Sequence, residues 1–234
     1  MFKTLTASAL ALVLLAGCSG QVESAAEKAT AKAGEVASKT AAAAGKMTEA
    51  VTGPDITTLP AGLYESDSGH AYIAFSYNHA GYSKPILRWG SFGSTVMLNT
   101  EDPEKSGVGV TIDTVSVDSG VKVWDEKLVG ADWFDAANFP VISFQSTDVD
   151  QTILGNGTLT GNLSLKGVTK PITLDVKLNK VGEHFRSKKP MFGISATGKL
   201  KRSDFGIDKY APMADDVDLM IEVEFIKSDI PPSP

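Results

Sequence analysis

Three histidines and a single cysteine stand in this 234-residue chain, so side chains able to act as nucleophile, base or soft metal ligand are few. Two of the histidines, His70 and His79, bracket the run "HAYIAFSYNH". A pair of imidazoles is the first thing to weigh as a chelate or an acid–base couple. Between them Ala71, Ile73, Phe75 and Tyr77 alternate with Tyr72, Ala74, Ser76 and Asn78, a period of two that predicts a β-strand. Nine positions is an odd spacing, so a continuous strand turns the two rings to opposite faces. At about 3.3 Å per residue it also sets them roughly 30 Å apart. They do not hold one ion together. The third, His184, lies in "VGEHFRSKKP", a predicted hairpin loop with a small basic patch of Arg186, Lys188 and Lys189. The chain carries no G-x-S-x-G nucleophile motif and no H-E-x-x-H zinc motif. No catalytic residue, metal site or cofactor is assigned, and no enzyme is expected.

The elements around that run are strands almost throughout. Candidates fall at Leu63–Asp67, His70–Tyr77, Ile86–Phe92, Thr95–Thr100, Val108–Val115, Val141–Val149, Thr158–Lys166, Ile172–Val181, Met191–Leu200 and Val217–Lys227. Turn signals such as "EDPEKSG" and "GNG" separate them. Ten short strands in one domain predict a closed antiparallel barrel or a sandwich. Apolar faces recur along them: Val108, Val110 and Ile112, then Ile172, Leu174, Val176 and Leu178, then Leu219, Ile221, Val223 and Phe225. Trp124 to Pro140 breaks the alternation and reads as short helical turns closing one end. Small barrels either fill with side chains or hold one small ligand. The pattern supplies the wall and leaves the contents open.

The first residues differ. A short positive start precedes the apolar stretch Leu5–Leu15, too short for a membrane span and suited to a signal-peptide core. It ends in "LAGCS", which resembles the lipobox of bacterial lipoproteins and implies a signal peptide over 1–17 with acylation of Cys18. Ser19 resembles the outer-membrane sorting signal. The implied location is the cell envelope, anchored by lipid and facing the periplasm at the outer membrane. With its one cysteine acylated the chain has no intramolecular disulfide, and the fold stands on core burial. Residues 18–54 are rich in Ala, Lys and Glu with no aromatic residue and read as a solvated spacer. A barrel domain over 55–228 and a Pro-rich tail at 229–234 complete the division. Five lysines and four acids fall in residues 1–53, which leaves 17 basic against 24 acidic residues beyond. An acidic domain argues against nucleic acid.

The strings "DSGHAYIAFSYNHAG", "SVDSG", "WDEKLVGADWFDAANFPVISFQST", "GNLSLKGVTKPITLDV" and "RSDFGI" follow one another in order. Together they resemble the YceI-like family of periplasmic polyisoprenoid-binding proteins, over nearly all of Leu63–Ile226. The resemblance implies an all-β fold: an extended lipocalin-like antiparallel barrel of about eight strands, capped at one end by short helical segments. It also implies a tunnel holding a long isoprenoid, either an isoprenoid quinone or a polyprenyl phosphate, for transport, storage or sensing. The candidate ligand-binding residues are Ile73, Phe75, Tyr77, His79, Val110, Ile112, Trp133, Phe134 and Phe144. Trp124 stands where the family writes arginine, and Val129 where it writes a basic residue. That departure favours a neutral, quinone-like head, with Lys84, Arg88 or Lys127 left to supply charge. Arg202 with Asp204 is expected to form a salt-bridged or capped turn, and Asp118 with Ser119 a plain turn. His70 is expected to pair with a loop. The competing reading is a non-catalytic envelope module whose barrel is packed solid, with its protein partners unknown.

Overall fold

The structure, a computed structural model, describes residues 53–151 and 155–230. The expected signal peptide, acylated Cys18 and nearly all of the spacer lie outside the described residues. Ten strands form: β1 (Gly62–Tyr77), β2 (Ile86–Trp89), β3 (Phe92–Leu98), β4 (Gly107–Asp113), β5 (Val117–Asp118), β6 (Val141–Gln151), β7 (Asn156–Leu165), β8 (Val168–Glu183), β9 (Pro190–Lys201) and β10 (Asp216–Lys227). Eight of them close antiparallel in the order β1-β10-β9-β8-β7-β6-β4-β3 and back to β1. Closure rests on the β1–β10 seam, from Tyr64 opposite Lys227 to Tyr77 opposite Val217. It decides the fold as a barrel rather than a sandwich, because every edge of the ring finds a partner.

Strands β2 and β3 share one edge of β1. Gly62–Glu65 pairs with β3, while Ala74–Ser76 pairs with β2, and β5 extends this branch by pairing with β2. Among the boundaries that differ from the sequence reading, two change how the strands divide, and the short β5 was not among the candidates. Leu63–Asp67 and His70–Tyr77 are one strand, interrupted on the β10 side by a register shift between Ser66 and Ala71; "DSG" imitates a turn but makes only a bulge. Phe92 opens β3 instead of ending β2, because Gly90 hands its N–H to the Ser116 carbonyl and the chain changes partner there.

Turn chemistry explains the tightest hairpin. Lys166 and Gly167 both have positive φ (49° and 76°) between the paired Leu165 and Val168, the two-residue turn whose twist matches its strands. A side chain at Gly167 would also strike the Phe139 ring, 2.5 Å from an added Cβ. Helix α1 (Lys122–Leu128) follows β5 and buries Leu128. A second short helix, α2 (Ala211–Ala214), precedes β10.

The interior divides in two. At the end where the chain enters, the turn Ile56–Thr58 brings Ile56 and Leu59 onto Tyr64, Val96, Leu98, Leu178, Phe192, Val223 and Phe225. Tyr64 is fully buried, and its hydroxyl donates to the Pro60 carbonyl at 2.7 Å. Burial alone raises its pKa to about 12. Its ring meets Phe192, which stacks on Phe225. This cluster plugs one end. The larger cluster lines the rest of the barrel.

Candidate functional site

The larger cluster surrounds a cavity of about 420 Å³, within the range of small-molecule sites. Alternation builds its wall. From β1 come Ile73, Phe75 and Tyr77, from β4 Val108, Val110 and Ile112, from β6 Ile142 and Phe144, and from β10 Val217, Leu219, Ile221, Val223 and Phe225. The β10 residues alone span eight positions, about 27 Å of strand. Gly161 makes room on the inner face of β7: the Phe144 ring and the Gln145 carbonyl occupy the place a Cβ would take, the latter 2.5 Å from it. Ala196 keeps β9 low at mid-barrel. The Ser94 hydroxyl also faces this space, buried and without a hydrogen-bond partner.

All nine ligand-lining candidates from the sequence, Ile73, Phe75, Tyr77, His79, Val110, Ile112, Trp133, Phe134 and Phe144, border this one cavity. Phe75, Trp89 and Phe134 form an aromatic trio near the capped end, with ring centroids 5.0 to 6.2 Å apart. The capping segment is held by local polar contacts. Asp125 accepts from the Ser119 N–H and hydroxyl, Phe134 N–H returns to Leu128 O, and Asp135 N–H returns to Gly130 O. An ion pair from Asp132 to Lys209 straps it to the loop before α2, and this contact holds the Asp132 carboxyl below its ordinary pKa.

The cavity meets solvent where His79, Ala80, Tyr210 and Met213 line it, since all four side chains are exposed or partly so. Apart from Ser94, its polar groups gather there. His79 lies beside Tyr77, ring centroids 6.4 Å apart. Arg202 is 8% exposed; its Nε donates to Ala214 O at 2.6 Å and Nη1 to Ile207 O at 2.8 Å. The guanidinium sits over the Trp133 ring, 5.2 Å from its centroid. Burial pulls the Arg202 pKa down, against the charges of Asp215, Tyr77 and Asp208. Burial raises the Tyr77 hydroxyl, and Arg202 opposes that rise.

Arg202 is the residue that sequence reasoning missed. The expected turn forms over Arg202–Phe205, closed by Gly206 N–H on Ser203 O, but without an Arg202–Asp204 salt bridge: Asp204 pairs with Lys170 at 3.2 Å on the outside, while Arg202 turns inward. Nor does Arg88 supply the cavity's charge, because Asp118 holds it on the outer edge at 2.9 Å. Asp118 also closes the expected turn by accepting from Gly120 N–H.

His70 lies apart from the cavity, on the outer wall. Its Nδ1 is 2.9 Å from Asp67 Oδ2 and 3.9 Å from Glu224 Oε2. Asp67 raises the His70 pKa and His70 lowers that of Asp67, chiefly through their hydrogen bond. The imidazoles of His70 and His79 thus serve separate places, one outside and one at the opening. His184 bonds Ser187 within its hairpin loop.

The YceI-like domain family matches residues 64–225. Protein YceI of Escherichia coli is 36% identical over 165 residues, covering 70% of this chain and 85% of that one. Among solved structures, the YceI protein of Campylobacter jejuni is 29% identical with a TM-score of 0.57, covering 63% of this chain and 87% of that one. A polyisoprenoid binding domain from Saccharophagus degradans shares the fold at 14% identity and a TM-score of 0.52. The match covers 72% of this chain and all of that one, so a barrel of this kind stands as a folded chain by itself.

Proposed function

The chain belongs to the YceI-like family, and on that footing we propose that its barrel binds a long isoprenoid lipid, tail in the cavity and head at the opening. The observation that carries this reading is the polarity of the cavity itself. Its wall is apolar from Leu219 to Phe225, its far end is plugged, and its buried cation stands at the open end. A barrel packed solid leaves no such space. The name of the Saccharophagus domain supports the same ligand class.

Binding is burial without chemistry. Apolar surface removed from water contributes about 25 cal/mol per Å², so the tail carries most of the affinity. Arg202, Tyr77 and His79 meet the head, either a quinone carbonyl or a phosphate. Arg202 restores the positive charge that the capping segment lacks, which brings a polyprenyl phosphate level with the quinone. Around this core we place an acyl anchor on Cys18, a spacer over residues 18–54, and a location in the envelope facing the periplasm at the outer membrane. There the protein carries, stores or senses its lipid.

Tail length tests the proposal. All three tryptophans line the cavity, so their fluorescence reports occupancy of the barrel, residues 53–234. Prenyl phosphates of rising length gain affinity about tenfold or more per isoprene unit, at ~0.8 kcal/mol per buried methylene, until the cavity is full. Affinity that ignores tail length contradicts it.

A further inference from the structure

The outer surface is apolar at one end in a way the wall of the cavity does not require. Among the described residues twelve large hydrophobic side chains are exposed. Five of them, Tyr82, Val121, Val123, Tyr210 and Met213, stand on the three segments that frame the opening: the turn after β1, the start of α1 and α2 with its N-cap. Ile86, Val115 and Val141 lie at the same end, since Ile86 pairs beside Tyr77 and Val141 opposite Asp113. Tyr72 faces outward at mid-barrel, opposite Glu222, and only Met97, Phe185 and Ile230 sit toward the plugged end. The exposure at the opening is large: 90% for Tyr82, 65% for Val123 and 59% for Met213. A monomer gains nothing by collecting such groups in one place.

We propose that this rim docks the barrel, opening first, on the surface of a lipid bilayer. The inference rests on the isoprenoid-binding reading and adds to it the surface from which the lipid is exchanged.

Continuity favours a bilayer as the occupant. Met213 and Tyr210 belong both to the rim and to the cavity lining, so on their side of the opening the apolar lining reaches the outer lip. A prenyl tail leaving through water would expose its full apolar surface. With the lip seated among acyl chains it passes from one apolar medium into another. Tyrosine suits this position, with its ring in the interface and its hydroxyl at headgroup level. The charges on the framing segments are mixed. These segments carry Lys84, Lys122, Lys127 and Lys209 together with Asp125, Glu126, Asp132 and Asp208, and Lys209 is tied to Asp132. No single-sign patch remains to demand anionic lipid. Insertion of the apolar rim carries the association.

The test is flotation of the barrel, residues 53–234, with phosphatidylcholine vesicles that contain no isoprenoid. Ligand binding plays no part in that measurement, and the tail-length titration reports it separately. The unchanged barrel floats with the vesicles. A rim variant, Tyr82→Ser with Val123→Ser and Met213→Ser, loses partitioning about tenfold or more. A control, Met97→Ser with Phe185→Ser and Ile230→Ser, floats as before. All six positions are exposed, and circular dichroism verifies that both variants are folded. The proposal is overturned if the unchanged barrel stays in the aqueous fraction at every lipid concentration, or if both variants lose partitioning equally. A rim that proves to be the seam of a mouth-to-mouth dimer, dissolved by the rim variant, overturns it in favour of a second copy of the chain.

Discussion

Ala196→Trp abolishes isoprenoid binding and leaves the barrel folded. Ala196 sits mid-barrel on β9, between Val176 on β8 and Ile221 on β10. Its methyl group lines the cavity and is 3% exposed. An indole projected from there enters the lumen, where it takes the space of the ligand's tail. In a core already full, such an addition costs about 1–3 kcal/mol or more in strain. Here the space is vacant and part of that cost is offset by newly buried aromatic surface. The expected result is a loss of binding of about a hundredfold or more, ~2.7 kcal/mol, with an unfolding midpoint in urea little changed. Fluorescence titration and urea unfolding of the same variant check both halves. Large destabilisation without prior binding in the parent would instead mark a packed barrel.

Arg202→Leu has the second large effect, and it acts on stability and on head preference together. The guanidinium holds the carbonyls of Ala214 and Ile207, which tie the loop after β9 back onto itself. Leucine leaves both acceptors without a donor, and each unsatisfied group costs about 1–3 kcal/mol. Loss of the contact over Trp133 adds up to about 2 kcal/mol. A total near 4 kcal/mol lowers the thermal midpoint by roughly 10 °C for a domain of this size. Lysine does not substitute, because one ammonium cannot reproduce the planar fork. Competition between a prenyl phosphate and a prenyl quinone of equal tail length, measured where the variant is still folded, reads the second effect. Phosphate binding falls further than quinone binding in Arg202→Leu, because the removed charge interacts with an anion more strongly than with a carbonyl dipole. Equal losses would place the head elsewhere.

The wall of the site was legible in the sequence because strand parity is local. Ile73, Phe75 and Tyr77, and again Val110 and Ile112, alternate with residues that face outward, and regular strands keep that parity over their length. The broken alternation around Trp133 and Phe134 marks a cap, while their place as candidate lining residues is what the family resemblance implies. Arg202 was illegible for the opposite reason. "RSDFG" carries turn chemistry, but the direction of the guanidinium is set by the Ala214 carbonyl, twelve residues on, and by the Trp133 ring supplied by the cap. No short-range pattern encodes either. The β8 and β10 faces read as apolar without marking site residues, since a packed core and a hollow one share the same alternation. The rim was unreadable too: Tyr82, Val123 and Met213 lie far apart in the chain, and only closure of the barrel brings their segments to one end.

The central claim is that the cavity holds an isoprenoid. It is tested most directly by purifying the barrel from its native cells without detergent, extracting it with organic solvent and identifying the lipid by mass spectrometry. The account predicts one polyprenyl compound per barrel, with a quinone or phosphate head. An extract without such a compound, from a protein that also fails to bind added prenyl quinones and prenyl phosphates, would contradict it.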